Sequence, residues 1–260
     1  MQFNDHLVIF AMHLADVAAN ISRQYFRQNI AIDTKSGNFP VTNADLEIEL
    51  ALRQLINSKY PSHTIIGEEY ATQTGNAEYS WIIDPIDGTT AFTTGKPTFT
   101  TLIALALKEK PILGIIDQPI SNERFIGIES GAYQVINSSY QRILASKVQK
   151  ISDARLNATT PYMFNIEEMT KFNQLKEQVR LCAWGGDAYA YAMLASGHID
   201  LIMESELQYY DVAALYPIIT ASGGIITTWT GEEITPEFKG QCLASANIEL
   251  HKQALKIINS

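Results

Sequence analysis

The sequence predicts a mixed α+β and α/β fold in two closely packed halves, and three observations carry that reading. Helical periodicity dominates the chain up to Ser58, a meander of strand-like runs fills the middle, and strands alternate with helices beyond residue 150. A chain of 260 residues, 46% hydrophobic and 18% charged, is long and apolar enough to bury a core across both halves. The halves are expected at 1–145 and 146–260, and no Pro/Gly/Ser-rich linker separates them.

Leu7, Phe10, Leu14, Val17, Ala18 and Ile21 recur at helical spacing and predict a first amphipathic helix. After the polar stretch DTKSGNFPVTNAD, a second helix is expected from Asp45 to Ser58, with Leu46, Leu50 and Ile56 on one face. TIIGEEY reads as a short buried strand ending in acidic residues. SWIID, TFTTLIALALK, PILGIIDQP, ERFIGIES and GAYQVINS continue as strands, punctuated by the turn residues KEKP, SNE and SG, which predicts an antiparallel meander. RLNATT (strand), NIEEMTKFNQLKEQV (helix), VRLCAW (strand), GDAYAYAMLASG (helix) and IDLIMES (strand) then alternate. YDVAALYPIITASG is expected as one helix, GIITTW as the final strand, and LASANIELHKQALKIINS as the closing helix.

The formal charge of -9 argues against a nucleic-acid partner, because no basic stripe is present to neutralise phosphates. An anionic small molecule stays open if a divalent cation held by acidic groups offsets the repulsion. No apolar run reaches the roughly 18 residues of a membrane span. The opening residues carry Asp5, His6, His13 and Asp16 and lack a basic region followed by a small-residue cleavage site. A soluble cytoplasmic protein with no membrane partner is expected. Cys182 and Cys242 share no CxxC spacing and read as two buried, reduced thiols.

The segment WIIDPIDGTTAF, residues 81–92, is the most informative. A buried strand ends at Asp84; Pro85 fixes a backbone angle and predicts a sharp turn. That turn brings Asp84, the Ile86 carbonyl and Asp87 to one side, a set of hard oxygen donors suited to Mg²⁺ or Mn²⁺. Gly88 lets the backbone approach a ligand, and Thr89 and Thr90 open a helix whose free N–H groups suit an anion. A surface turn is the simpler alternative. Glu68 and Glu69 follow another apolar strand, and Asp45 and Asp211 begin apolar helices. Each alone also reads as a solvated loop or a helix N-cap. Together they make a set of carboxylates gathered at element termini.

GEE, WIIDPIDGTTAF and YDVAALYPIITASGG resemble the three motifs of the inositol-monophosphatase-like family, and the resemblance covers nearly the whole chain. It implies a layered α-β-α-β-α sandwich and a lithium-sensitive, metal-dependent phosphomonoesterase with two or three Mg²⁺ ions per site, or Mn²⁺. IIDQP with the following ER, and WGGDAYAY with IDLIMES, are similar to the histidinol-phosphate phosphatase branch. That branch implies hydrolysis of L-histidinol phosphate in histidine biosynthesis, by metal-activated water. Inositol 1-phosphate or another small polyol or sugar phosphate is the alternative substrate. Further alternatives are a 3′-phosphoadenosine nucleotide phosphatase and a non-catalytic metal-binding protein. By resemblance, Glu68, Asp84, the Ile86 carbonyl, Asp87 and Asp211 are metal ligands. Asp87, Gly88 and Thr89 bind phosphate. Glu68 and a hydrogen-bonded Thr89–Asp45 pair serve the attacking water. Gly185, Asp187, Glu204 and Asp211 bind the organic part of the substrate, with Asp187 and Glu204 suited to an ammonium or imidazole. Lys35 falls on the family's active-site loop. A homodimer is also implied. Gln208 and Tyr209 stand where the branch has Lys-Pro, and Ala188 where Cys is common.

Overall fold

The computed structural model describes residues 5–28, 32–34, 40–137 and 139–260. In chain order, α1 (His6–Tyr25) is followed by β1 (Ile32–Thr34), β2 (Pro40–Thr42), α2 (Asn43–Lys59), β3 (Thr64–Gly67), β4 (Tyr79–Asp87) and the short α3 (Thr89–Thr93). The meander comprises β5 (Thr100–Leu107), β6 (Lys110–Gln118), β7 (Glu123–Ile128), β8 (Gly131–Ile136) and β9 (Ser139–Ile143). Then come β10 (Arg155–Ala158), α4 (Ile166–Lys176), β11 (Leu181–Trp184), α5 (Asp187–Ala195) and β12 (Leu201–Gln208). The chain ends with α6 (Tyr209–Val212), α7 (Leu215–Ala221), β13 (Ile225–Thr227), β14 (Lys239–Ser245) and α8 (Ile248–Ile258).

Five layers result. β3 to β9 form one sheet in sequence order, parallel only between β3 and β4. A second sheet has the order β11-β10-β12-β14-β13. Trp81, Ile83, Ile103 and Leu105 point to the outer face of the large sheet, where Leu14, Ala18, Ile48 and Leu52 of α1 and α2 cover them. Their neighbours Ile82, Leu102 and Ala104 point inward, against Tyr191 and Leu194 of α5 and Ile218 and Ile219 of α7. Those two helices also pack on Ile202 and Ala244 of the second sheet. The far face of that sheet, with Leu156, Met203 and Leu243, is covered by Phe172 of α4 and Leu250 and Ala254 of α8. The central strands of both sheets are covered on both faces, which is why strands such as TLIALAL are apolar throughout rather than alternating.

Four expectations are corrected. YDVAALYPIITASG is two helices, because Pro217 lacks the N–H that would bond the Ala213 carbonyl. GIITTW does not supply the last strand: β14 does, lying between β12 and β13. Its small residues Cys242, Ala244 and Ser245 carry little β-branched or aromatic signal. The turn at Pro85 is a bulge within β4, described below. Cys182 is only half-buried, because β11 is the edge strand of its sheet, whereas Cys242 is buried; both are free thiols. No helix among the described residues is long and apolar enough to cross a membrane.

Candidate active site

In a regular strand Asp84 and Asp87, three apart, would point to opposite faces. The pairing of β4 with β5 prevents this. Asp84 lies opposite Leu102 and Asp87 opposite Thr100, so β4 carries one extra residue between them. This bulge flips the alternation and puts both carboxylates on one side. The Thr101 hydroxyl donates to the Pro85 carbonyl at 2.8 Å and holds the bulge. Pro85 is tolerated there because a bulged residue has no ladder bond to donate. At the strand's exit Gly88 takes a left-handed conformation, φ 79°, and hands the chain to α3. A Cβ there would lie 2.8 Å from Cγ of Asp187, so glycine is required on both grounds.

Two helix starts deliver the next carboxylates. Asp45 and Asp211 are not N-caps; they sit three residues inside, in capping boxes opened by Thr42 and Gln208. Oδ2 of Asp45 accepts from the Thr42 N–H at 2.9 Å and from its hydroxyl at 2.6 Å. Oδ2 of Asp211 accepts from the Gln208 N–H at 2.6 Å. Each box fixes one carboxylate oxygen, and Asp211 also lines the cleft. Glu68 follows β3, whose parallel register pairs Gly67 with Ile83 and so runs Glu68 beside Asp84. The expected Thr89–Asp45 hydrogen bond is not made among the described residues: Thr89 donates to the nearby Ile86 carbonyl at 3.1 Å, and the capping box occupies Asp45 Oδ2. Lys35 lies outside the described residues.

Glu68, Asp84, Ile86, Asp87, Gly88, Thr89, Asp187, Glu204 and Asp211 line one cleft of about 760 Å³; Asp45 and Gly185 do not line it. Gly185 and Gly186 form a left-handed pair before α5, and the Gly185 carbonyl accepts from Asn157 at 3.2 Å. That turn aims the Ala188 N–H at Asp87 Oδ2, 2.6 Å away. Glu204 is buried, with one oxygen accepting from the Thr159 N–H at 2.7 Å and the other from the Tyr191 hydroxyl at 2.9 Å. Thr159, Tyr191 and Tyr210 therefore belong to the site although their sequence context marks none of them; Tyr191 reads as an ordinary core aromatic. In Tyr210 the phenol is pushed up by burial and by the nearby Asp211, Glu68 and Asp84.

Carboxylate oxygens of Asp84, Asp87 and Asp211 lie within 4.8 Å of one another, and Oδ1 of Asp84 is buried without a hydrogen-bond partner among the described residues. Hard, crowded oxygen donors with one orphaned atom fit a small divalent cation. Burial raises Asp84 and Asp87 well above the usual carboxylate range, and their acidic neighbours add to it: Glu68 foremost for Asp84, Asp187 for Asp87. Asp45 rises to about 6, mainly by burial against the opposing Thr42 hydrogen bonds. Asp187 rises to about 7 through burial and the Glu204 charge, with Lys96 opposing.

The Asp187 shift has a stability consequence. Between 3.8 and about 7 the folded chain binds this proton more tightly than the unfolded chain, so Asp187 costs the metal-free fold stability as pH rises through that window. Buried His63 and His251, whose affinities for a proton are lowered, act with the opposite sign, but they cancel in a comparison of variants. Asp187→Asn is therefore expected to melt above wild type in EDTA by a margin that grows between about pH 5 and 7. A margin that shrinks over this range in paired thermal melts contradicts the account.

A sequence model described as the inositol monophosphatase family matches residues 4–260. The chain is 42% identical over 252 residues to a protein of Arabidopsis thaliana described as a bifunctional phosphatase, IMPL2, chloroplastic, covering 94% of this chain and 72% of that one. It is 32% identical to a histidinol-phosphatase of Streptomyces coelicolor, covering 95% of this chain and 94% of that one. Among solved structures, an inositol monophosphatase from Zymomonas mobilis superposes with a TM-score of 0.89 at 35% identity, covering all of both chains.

Proposed function

This chain belongs to the inositol monophosphatase family and is a metal-dependent phosphatase, and we propose that it hydrolyses L-histidinol phosphate to L-histidinol and inorganic phosphate with Mg²⁺. One observation carries the choice of substrate: the Asp187 carboxylate stands against Gly88 of the phosphate loop, with buried Glu204 behind it. A second acidic wall beside the phosphate repels the dianion of either substrate, and the uncharged hydroxyls of a polyol offset that only with ordinary hydrogen bonds. For the ammonium and imidazole of the other ester the wall is attractive. The Thr159 N–H and Tyr191 hydroxyl fix Glu204 in orientation, which suits recognition of a substrate's donors more than mobile screening.

Glu68, Asp84, the Ile86 carbonyl, Asp87 and Asp211 would hold the metal, which when bound offsets the phosphate charge and acidifies water. The protein's own groups do the rest. Gly88 and Thr89 seat the phosphate at the start of α3, where a side chain at residue 88 would collide with Asp187. Asp45, pushed to about 6 mainly by burial and with Oδ1 lacking a hydrogen-bond partner among the described residues, would take the proton that the attacking water releases. Water adds to phosphorus, the ester P–O bond breaks, and the released alkoxide takes a proton to become the alcohol. No side chain needs to form a covalent bond.

Phosphate release from L-histidinol phosphate and inositol 1-phosphate, measured side by side with Mg²⁺, tests the proposal. A kcat/KM ratio of about 100 or more in favour of histidinol phosphate is expected, and Asp187→Asn should raise its KM about tenfold while sparing inositol 1-phosphate. Preference for inositol 1-phosphate overturns the substrate and favours the second reading, which the full-length likeness to the Zymomonas mobilis inositol monophosphatase supports.

A further inference from the structure

α2 carries two buried carboxylates one turn apart. Asp45 sits in the capping box at the helix start; Glu49, fully buried, faces the segment that follows β3. Oε2 of Glu49 accepts the Glu69 N–H at 2.7 Å, and Oε1 accepts the Tyr70 N–H at 3.2 Å and Nε of Arg53 at 2.8 Å. Arg53 completes the clasp, donating through Nη2 to the Tyr70 carbonyl at 3.0 Å. On the other side of Glu68, a Cβ at Gly67 would lie 2.7 Å from Oε2 of Glu49 and closer still to Oε1. The residues before and after Glu68 are thus both seated on one carboxylate, and this carboxylate neither lines the cleft nor belongs to the cluster of Asp84, Asp87 and Asp211.

We propose that Glu49 is a positioning residue: clasped with Arg53, it sets the backbone at Gly67–Tyr70 and thereby holds Glu68 beside Asp84 in the geometry that binds a divalent cation. The inference rests on Glu68 being a ligand, as proposed above. The geometry explains three sequence features at once. Glycine at 67 leaves room for the carboxylate. Glu49 must be acidic because it accepts two backbone N–H groups and a guanidinium, a pattern that a neutral amide cannot reproduce. Arg53, four residues on, lies on the same helix face and neutralises a charge that has no access to water. β3 is the terminal strand of its sheet, and beyond β4 it has only the single bridge of Ile65 to Gln73 among the described residues, so the sheet alone leaves the end of this strand weakly fixed.

The test uses the full-length, metal-stripped protein and Mn²⁺ as the probe, titrated calorimetrically, beside the Mg²⁺ dependence of turnover. Glu49→Gln and Gly67→Ala are the two variants. The second leaves the Glu49–Arg53 pair in place and pushes on it from the other side, so it still reads the contact if the first folds poorly. Both should weaken Mn²⁺ binding by about 10- to 100-fold and shift half-activation by Mg²⁺ upward in parallel, with kcat at saturating Mg²⁺ within about threefold of wild type. A role in stability alone would lower the melting temperature and leave Mn²⁺ affinity unmoved. Unchanged affinity in both variants, beside a clear loss in Glu68→Gln, overturns the positioning role. No loss in Glu68→Gln overturns the ligand assignment itself, and the inference with it.

Discussion

Asp84→Asn is expected to lower kcat by about 10³-fold and at the same time to raise the melting temperature of the metal-free protein. The two effects have one cause. Asp84 is 1% exposed, and its Oδ1 has no hydrogen-bond partner among the described residues. Around it stand Glu68, Asp87, Asp211 and Asp45, each of which makes its ionised form less favourable, on top of the larger penalty of burial. Asparagine has the same shape and no charge, so the empty site loses repulsion without gaining a cavity. Adding Mg²⁺ should reverse the order: wild type gains stability in proportion to occupancy, and the variant, having lost a donor, gains little. Melting curves with EDTA and with excess Mg²⁺ should therefore cross between the two proteins. Turnover near the wild-type rate, or a variant less stable in EDTA, would falsify the assignment of Asp84 to the metal site.

That this cluster can be read from sequence at all follows from where its carboxylates sit. Glu68 directly follows a short apolar strand, and Asp84 and Asp87 come at the end of another, after its apolar run; a charge at such a place has few structural uses. The proline between the two aspartates signals an interruption, although its physical form, a one-residue bulge rather than a turn, becomes apparent only from the pairing with Leu102 and Thr100. Asp45 and Asp211 are visible as helix starts, but the residues that cap those helices are Thr42 and Gln208. What sequence does not display is long-range support. Tyr191 bonds a carboxylate 13 residues away, Ala188 donates to one 101 residues away, and Glu49 holds a loop 20 residues on. None of these has a local signature, since a buried Tyr, Ala or Glu on a helix has many equally good uses. β14 escaped for a related reason: a central strand with several small residues becomes a strand only because β12 and β13 flank it.

The same contrast between local and distant causes governs Gly114→Ala, the second large effect. Gly114 on β6 and Gly127 on β7 are directly opposite each other in the sheet. Together they leave a bare patch of backbone on which the start of α7 rests. A Cβ at Gly114 would fall inside the carbonyl oxygen of Ala214 and 2.8 Å from Cγ of Pro217, and one at Gly127 would strike the backbone of Ile218. Both obstacles are main chain or a proline ring, which cannot swing away as a flexible side chain would. The helix must lift, and the Tyr191, Leu215 and Ile218 packing of the central layer lifts with it. A loss of about 3 kcal/mol is expected, which for a chain of this size corresponds to a fall of roughly 6–12 °C in melting temperature. The functional consequence travels a short way: Asp211 is three residues before Ala214, so displacing this backbone moves a proposed metal ligand with it. Gly114→Ala should accordingly need more Mg²⁺ for half-activation yet recover most of its turnover when Mg²⁺ is raised, because its carboxylates are all present. Asp84→Asn should recover none. Wild-type stability in Gly114→Ala would show that α7 does not rest on these strands as closely as the structure has it. A variant that is destabilised yet has a wild-type Mg²⁺ requirement would place Asp211 on a support independent of the helix that follows it.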